Sequence, residues 1–285
     1  MSTSNLEVKL SSIENLPSLP LVMRQIQKIM ENPKSNMDQI AQVIAKDQAL
    51  ASKTIKLVNS AFYGMSKKVS SISQAIIILG LNTVNNLMMA ISVVRMFNNS
   101  GGKTTFDQEK FWEHSFATAL IGRLIAKKVY HEDPELCFIC GLIHDIGRLV
   151  YDQFMHNEFS KAYTLSREKN VALIQLEEAF LGADHAFAGG FLAEKWKLPP
   201  EIYASLRYHH SVFDTPQEFS KYLQVITIVA KANQIVNKEN IGSSGDNYIT
   251  PDKDIPPLKI DQRDIDSIVE SVKSEIKSTI MEWHR

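Results

Sequence analysis

The adjacent pair His144-Asp145 is the part of this sequence best suited to chemistry. The pair lies in the apolar segment Gly141 to Leu149, and further histidines lie elsewhere along the chain: His114, His185, His209 and His210. Imidazole and carboxylate groups that meet on a helical scaffold are ligands for a divalent metal ion. The sequence therefore predicts a metal centre, provided that distant segments bring these residues together.

If such a centre held a pair of metal ions, the chemistry that it would support is phosphoester hydrolysis. A pair of metal ions lowers the pKa of a shared water and stabilises charge on phosphoryl oxygens. Asp145 is the best bridging ligand, because its carboxylate has two oxygens. Arg148 is three residues further on, and a guanidinium can bind phosphate in bidentate fashion. We therefore name Asp145 and Arg148 as the candidate catalytic residues.

Composition describes an ordinary globular protein and argues against nucleic-acid binding. The chain has 285 residues, of which 44% are hydrophobic and 22% charged, enough to bury a full core. Its formal net charge is -1, and its longest basic clusters are dipeptides such as Lys67-Lys68. Without a basic patch, the electrostatic footprint of a nucleic-acid-binding protein is missing.

Targeting signals and cysteine usage predict a cytoplasmic protein without membrane contact. Residues Met1 to Leu10 have neither a basic start nor an apolar run. The most apolar stretch, Ala75 to Phe97, is interrupted by polar residues that a spanning helix tolerates badly. The only cysteines are Cys137 and Cys140, too few for a disulfide framework, and we interpret them as small buried core residues.

The elements that must position these residues are helices, because apolar positions recur at helical spacing and no segment alternates like a strand. The fold class is therefore predicted as all-α. The polar segment Asn98 to Lys103 is the clearest linker. The expected organisation is an N-terminal helical subdomain over 1–100, a second helical subdomain over 105–245, a loop over 246–260 and an amphipathic helix over 261–285.

Two signals place the candidate ligands on particular helices. Asp133-Pro134, an N-cap followed by a proline at the first helical position, predicts the start of the helix that carries His144-Asp145. Pro199-Pro200 predicts the start of another helix, which ends at His209-His210.

The sequence resembles a known family, the HDOD family of HD-related output domains in bacterial signalling proteins. The resemblance covers roughly residues 12–245 and rests on many separated motifs. They are Ile44 to Leu50, Lys56 to Gly64, Ile72 to Ile76, Leu79-Gly80, Gly141 to Gly147, Asp184-His185, Trp196 to Pro199 and His209-His210.

The resemblance implies an HDOD-type fold, in which an N-terminal helical bundle packs on a lobe related to HD phosphohydrolases. It also implies a role in signal transduction, with an unknown signalling protein or a phosphorylated small molecule as the partner. Family members are commonly regarded as regulatory modules that have lost part of the HD metal site. The oligomeric state is left open.

By similarity to HD and HD-GYP hydrolases, the metal ligands are His114, His144, Asp145, His185, His209 and His210. The final ligand of that superfamily is an aspartate, and its match here is Asn233. An amide brings a neutral carbonyl where a carboxylate brings charge, so metal affinity should fall. The candidate metals are iron, manganese, magnesium, nickel and zinc, and a centre without metal stays open.

Two functions from different classes follow. The first is a regulatory HDOD module that binds a protein partner or a phosphate-containing ligand. The alternative is a metal-dependent phosphohydrolase, or phosphodiesterase, that uses the ligands above. The signature of cyclic-dinucleotide phosphodiesterases is missing, because Ser211 to Pro216 replaces the Gly-Tyr-Pro loop expected after His209-His210.

Overall fold

The computed structural model is an all-α protein, and the predicted fold class is confirmed. It describes residues 3–13, 16–32, 37–60, 63, 65–98, 104–129, 133–246 and 248–284. These residues are predominantly helical and contain no β-strand. The helices are α1 (Thr3–Ser11), α2 (Leu21–Met30), α3 (Met37–Ala45), α4 (Gln48–Val58), α5 (Ile72–Leu79), α6 (Leu81–Asn98), α7 (Gln108–Val129), α8 (Pro134–Ile143), α9 (Ile146–Phe154), α10 (His156–Lys169), α11 (Leu173–Leu181), α12 (His185–Lys195), α13 (Pro200–Tyr208), α14 (Leu223–Lys238) and α15 (Gln262–His284). Short 3-10 helices occur at Val212–Asp214, Gln217–Tyr222 and Asp252–Asp254.

The chain divides into two compact units. The first, which we call the site unit, comprises Met1–Leu16 and Ser100–Val272. The second, the smaller unit, comprises Pro17–Asn99 and Lys273–Arg285. The domain bounds expected from the sequence stay a prediction, and residues 99–103 of the expected linker lie outside the described residues.

In the smaller unit, polar side chains fix both ends of α4. Asp47 caps its start by accepting a hydrogen bond from Leu50 N at 2.9 Å, and it also pairs with Arg95 of α6 at 3.4 Å. After the helix, the Asn59 amide donates to Val69 O and accepts from Val69 N, both at 2.7 Å. These contacts define where the helix begins and ends.

Helix α8 of the site unit begins where the sequence predicts. Asp133 caps α8 by accepting hydrogen bonds from Glu135 N at 2.9 Å and Leu136 N at 3.3 Å, and Pro134 is the first residue of the helix. The predicted N-cap is thus confirmed. Helix α8 packs along α7, and α14 packs against both.

A close contact between α9 and α12 depends on glycine. A Cβ on Gly147 would collide with the carbonyl oxygen of His185, the first residue of α12. Only glycine allows the two backbones to approach this closely. The contact therefore fixes the start of α12 beside the start of α9.

The predicted amphipathic helix at the C-terminus is α15, and its first part packs on the site unit. Ile268, Val269 and Val272 are buried on its apolar stripe. Lys128 of α7 and Asp264 of α15 form a 2.6 Å ion pair at its edge. The pair is solvent-exposed, so the apolar stripe supplies most of the docking energy.

Candidate metal centre

Four segments of the site unit bring the candidate ligands to one buried cluster. They lie in the first third of α7 (His114), at the junction of α8 and α9 (His144 and Asp145), at the start of α12 (His185) and directly after α13 (His209 and His210). The structure thus brings together the six histidine and aspartate residues that the sequence singles out.

Asp145 lies at the centre of the cluster. Its Oδ2 atom faces two histidines, with His114 Nε2 at 3.7 Å and His144 Nε2 at 3.3 Å. We call these three residues the Oδ2 group. Each offers one ligand atom, and these atoms lie within 4.8 Å of one another, close enough to surround one cation.

The other carboxylate oxygen, Oδ1, faces a second set of histidines. His185 Nε2 lies 2.9 Å from Oδ1 and His209 Nε2 lies 3.6 Å from it. His210 Nε2 lies 3.0 Å from His185 Nε2. We call Asp145 and these three histidines the Oδ1 group, whose ligand atoms also lie within 4.8 Å of one another. The single carboxylate is therefore shared by two sets of imidazoles.

Hydrogen bonds at Nδ1 orient three of the imidazole rings. The acceptors are Gly141 O for His144 at 2.7 Å, Leu206 O for His209 at 3.0 Å and Glu177 Oε2 for His185 at 2.6 Å. In a neutral ring, an acceptor at Nδ1 fixes the tautomer and leaves the Nε2 lone pair free for a metal. The ring orientations are those of metal ligands.

Several polar atoms of the cluster are buried without a hydrogen bond of normal geometry. Among the described residues these include Asp145 Oδ1, His144 Nε2 and His209 Nε2. Buried polar atoms are normally paired, because an unpaired one costs free energy. A divalent cation is a partner that such atoms can bind, and hard carboxylate and borderline imidazole donors suit such an ion. The residues present therefore fit a metal centre.

The cluster is closed to solvent on most sides. His114, His144 and His185 are 0% exposed, Asp145 is 1% exposed and His209 is 2% exposed. His210 is the half-buried member. Any small molecule that reaches the cluster must pass His210 or displace a covering segment.

Burial keeps two of the histidines neutral. It lowers the pKa of His114 to about 3 and that of His209 to about 4, because a low-dielectric interior disfavours the imidazolium ion. Burial also opposes ionisation of Asp145, but the charges of Arg148 and His144 outweigh it and hold the pKa of that carboxyl well below its usual value. At neutral pH these groups are in the protonation states that bind a cation.

The pKa of His185 shifts in the opposite direction, upward. Burial and the charge of Arg148 both lower its pKa, but the carboxylates of Glu177 and Asp145 outweigh them and raise the value to about 9. In the metal-free protein this ring therefore carries a proton at pH 7. A cation that binds at Nε2 must replace that proton.

Arg148 is a buried cation bound by three carboxylates. The contacts are NH1 to Asp145 Oδ2 at 2.8 Å, Nε to Glu177 Oε1 at 3.3 Å, NH2 to Asp246 Oδ2 at 3.1 Å, and NH1 to the Ser244 hydroxyl. The phosphate-binding role that the sequence indicates for Arg148 stays a prediction. In the structure its guanidinium positions Asp145.

Asn233, the predicted counterpart of a final aspartate ligand, lies on α14 beside the Oδ2 group. It is buried, and its amide interacts with the ring of His114. Its Oδ1 atom accepts a 3.1 Å hydrogen bond from Asn237 Nδ2. The residue adds a neutral polar group to this side of the cluster, and no charge.

A short segment between α14 and α15, residues 241–246, packs against α7 and Arg148 beside the cluster, and we call it the strap. Ser243 N donates to Lys110 O at 2.9 Å. Gly242 has φ +64°, and a Cβ there would collide with the backbone N of His114. Ser244 and Asp246 of the strap hold Arg148. The strap thus joins the start of α7 to the buried arginine.

Sequence reasoning missed Glu177, Ser244 and Asp246. Glu177 lies on α11, and the other two lie in the strap, which reads only as a polar loop. A fully buried glutamate is unusual and would be expected near a cation, but its burial is not visible in the sequence. No spacing rule links these residues to Arg148.

Comparison with known proteins agrees with this architecture. A crystal structure of an HDOD domain protein of unknown function from Geobacter sulfurreducens is 26% identical, with a TM-score of 0.80, over 98% of this chain and 97% of that one. A candidate phosphohydrolase from Shewanella amazonensis SB2B shares the fold at 22% identity, with a TM-score of 0.74, over 96% of this chain and 97% of that one.

An uncharacterized protein of Treponema pallidum (strain Nichols) is 30% identical over 227 residues, which are 79% of this chain. They are 42% of that protein, so the chain spans less than half the length of this relative.

Among the described helices, none combines the length and apolarity needed to cross a membrane.

The fold and the cluster define an all-α protein with a buried histidine–aspartate centre. The HDOD domain family matches residues 16–212, which is more than half of the chain. The chain belongs to the HDOD family.

Proposed function

We propose that this protein is a regulatory HDOD module in signal transduction, whose buried cluster binds a divalent metal ion. It recognises a protein partner or a phosphate-containing molecule. The observation that supports the proposal is the enclosure of Asp145. Five members of the cluster are at most 2% exposed, and Arg148 is bound by protein carboxylates.

Enclosure favours regulation over catalysis for a physical reason. A phosphohydrolase must admit a phosphate to the metal and place a cationic side chain against it. Here the arginine best suited to that task already donates to Asp145, Glu177 and Asp246. A metal in this position would stabilise the packing of α7, α9, α12 and α13, and so would stabilise the state that a partner recognises.

In this proposal some residues would bind the cation directly, and others orient the residues that bind it. A bound divalent ion would supply positive charge to the carboxylate and would lower the pKa of any water that it coordinated. Asp145 and the histidines would hold it through carboxylate oxygen and Nε2 atoms. Glu177 orients the ring of His185, and Arg148 orients Asp145.

Elemental analysis of protein purified without chelators tests the metal. The wild-type chain should contain bound divalent metal, and Asp145→Ala should lose it, because both groups share this residue. His156→Ala is the matched control, since His156 is a partly exposed histidine of α10 outside the cluster. A metal-free wild type, or equal metal in Asp145→Ala, would contradict the proposal.

A metal-dependent phosphohydrolase is the second candidate. Two groups of histidines share one carboxylate, which is the arrangement that a pair of ions needs. The name given to the Shewanella amazonensis protein also favours it. Turnover of cyclic nucleotides, dinucleotides or generic phosphodiesters with added manganese or iron would establish this activity, and Asp145→Ala should abolish it. Absence of turnover in metal-loaded protein supports the regulatory module.

A further inference from the structure

The two sides of Asp145 differ in charge, although buried histidines line both. On the Oδ2 side, Arg148 NH1 donates to the carboxylate at 2.8 Å, and the neighbouring amide of Asn233 is neutral. On the Oδ1 side, the ring of His185 is backed by the carboxylate of Glu177 at 2.6 Å. The Oδ2 side therefore already holds a permanent cation, whereas on the Oδ1 side a carboxylate lies behind the histidine.

We infer that Arg148 takes the place of a second metal ion beside Asp145, so that the cluster binds one divalent cation, in the Oδ1 group. The inference rests on the proposed function, because it assumes that the cluster binds metal. Beyond the proposed function, the inference states that the Oδ1 group binds the ion and explains why the Oδ2 group does not.

Repulsion is the first reason. An ion bound to Asp145 Oδ2 would lie within a few ångströms of a guanidinium that is always charged, in surroundings where charges are poorly screened. Arg148 has no room to withdraw, because it is 1% exposed and is held by Glu177 and Asp246. Releasing it would leave those two carboxylates without their cation.

Ligand supply is the second reason. The Oδ1 group offers three imidazoles and one carboxylate oxygen, a complete set of four donors for a first-row divalent ion. The Oδ2 group offers two imidazoles and an oxygen that already accepts from Arg148, and the amide oxygen of the neighbouring Asn233 already accepts from Asn237 Nδ2. Glu177 adds a carboxylate behind a ligand of the Oδ1 group only, and such a partner strengthens metal binding.

A matched pair of variants tests the inference in the full-length protein. The chain is stripped with chelator, equilibrated with Mn²⁺ and freed of unbound ion, and metal per chain is then measured. His114→Ala and His209→Ala remove the same atoms from equally buried positions on opposite sides of Asp145. Wild type and His114→Ala should each retain one ion per chain. His209→Ala should bind Mn²⁺ at least tenfold more weakly.

The spectrum of the bound Mn²⁺ supplies a second readout that needs no variant. Electron paramagnetic resonance should show an isolated ion at saturation. Two ions per chain with an exchange-coupled signal would overturn the inference and would leave the metal-binding proposal intact. Equal loss of metal in His114→Ala and His209→Ala would also overturn it. A wild type that binds no Mn²⁺ contradicts the proposed metal binding itself, and the inference with it.

Substitution of the arginine addresses its charge directly. Arg148→Lys keeps a cation and should keep one ion per chain, whereas Arg148→Gln should admit a second ion. Unchanged stoichiometry in a folded Arg148→Gln protein would contradict the role assigned to the charge. If that variant does not fold, the wild-type stoichiometry and spectrum still decide between one ion and two.

Discussion

Glu177 accepts two hydrogen bonds from His185, one from the ring Nδ1 at 2.6 Å and one from the backbone N at 2.9 Å. One buried carboxylate therefore fixes both the start of α12 and the orientation of the imidazole. The same side chain accepts from Arg148 Nε at 3.3 Å. Glu177 thus connects the candidate ligand to the cation that positions Asp145.

We expect Glu177→Gln to lower metal affinity by about tenfold to a hundredfold, because the amide no longer raises the basicity of the His185 ring. Competition with a chelator of known affinity measures the change. Glu178→Gln is the control, since Glu178 is the exposed neighbour on the same helix. Equal affinities in the two variants would show that the carboxylate does not support the ligand.

Gly147→Ala should lower the free energy of unfolding by about 1–3 kcal/mol, because the added methyl group collides with the His185 carbonyl. Gly189→Ala is the matched helical control. A Cβ there meets its nearest neighbour at 3.6 Å, an ordinary contact, so alanine should be neutral or stabilising by up to about 1 kcal/mol. Urea unfolding compares the two variants. Equal stability would contradict the close contact between α9 and α12.

The stability of the metal-free protein should decline on both sides of pH 6.5. The pKa values of His114 and His209 fall on folding from 6.5 to about 3 and about 4, so the unfolded chain takes up protons first as the pH decreases below 6.5. The pKa of His185 rises on folding from 6.5 to about 9, so its contribution is complete below pH 6.5 and is lost as the pH rises through 9.

Urea unfolding in the presence of a chelator, repeated across this pH range, measures the effect. His209→Gln should flatten the acid limb, because it removes one of the histidines whose pKa falls on folding, and should leave the alkaline limb unchanged. An acid limb of wild-type steepness in that variant would show that His209 does not titrate as described.

Metal binding at pH 7 should release about one proton per ion, because the cation replaces the proton on His185, whose pKa is about 9 in the metal-free state. Calorimetric titration with Mn²⁺ in two buffers of different ionisation enthalpy measures the number released. The release should diminish as the pH is raised above 9. A binding enthalpy that does not depend on the buffer would contradict a protonated His185.

The sequence predicts the all-α fold and the start of α8, because helical periodicity and the Asp133 cap are local signals. The identity of the clustered side chains is also accessible, since the resemblance to HD hydrolases marks these histidines beside the adjacent aspartate. The partners of Arg148 are not accessible. Glu177 lies 29 residues from it and Asp246 lies 98 residues from it, and only tertiary packing brings them together.

That difference explains why the sequence suggests a phosphate-binding role for Arg148. When its neighbours are unknown, an arginine near a metal motif is assigned to phosphate binding because nothing in the sequence shows a competing partner. The structure surrounds it with carboxylates, and its availability is a property of the folded core that no local pattern encodes.

The absence of a side chain at Gly147 and at Gly242 has a consequence for how this protein can evolve. At both positions a ligand-bearing helix is held by main chain touching main chain. The spacing of these helices at the cluster is therefore set by backbone atoms, which every amino acid shares. Any side chain at Gly147 or Gly242 would push the touching backbones apart, so selection on the cluster acts at these two positions on the absence of a side chain.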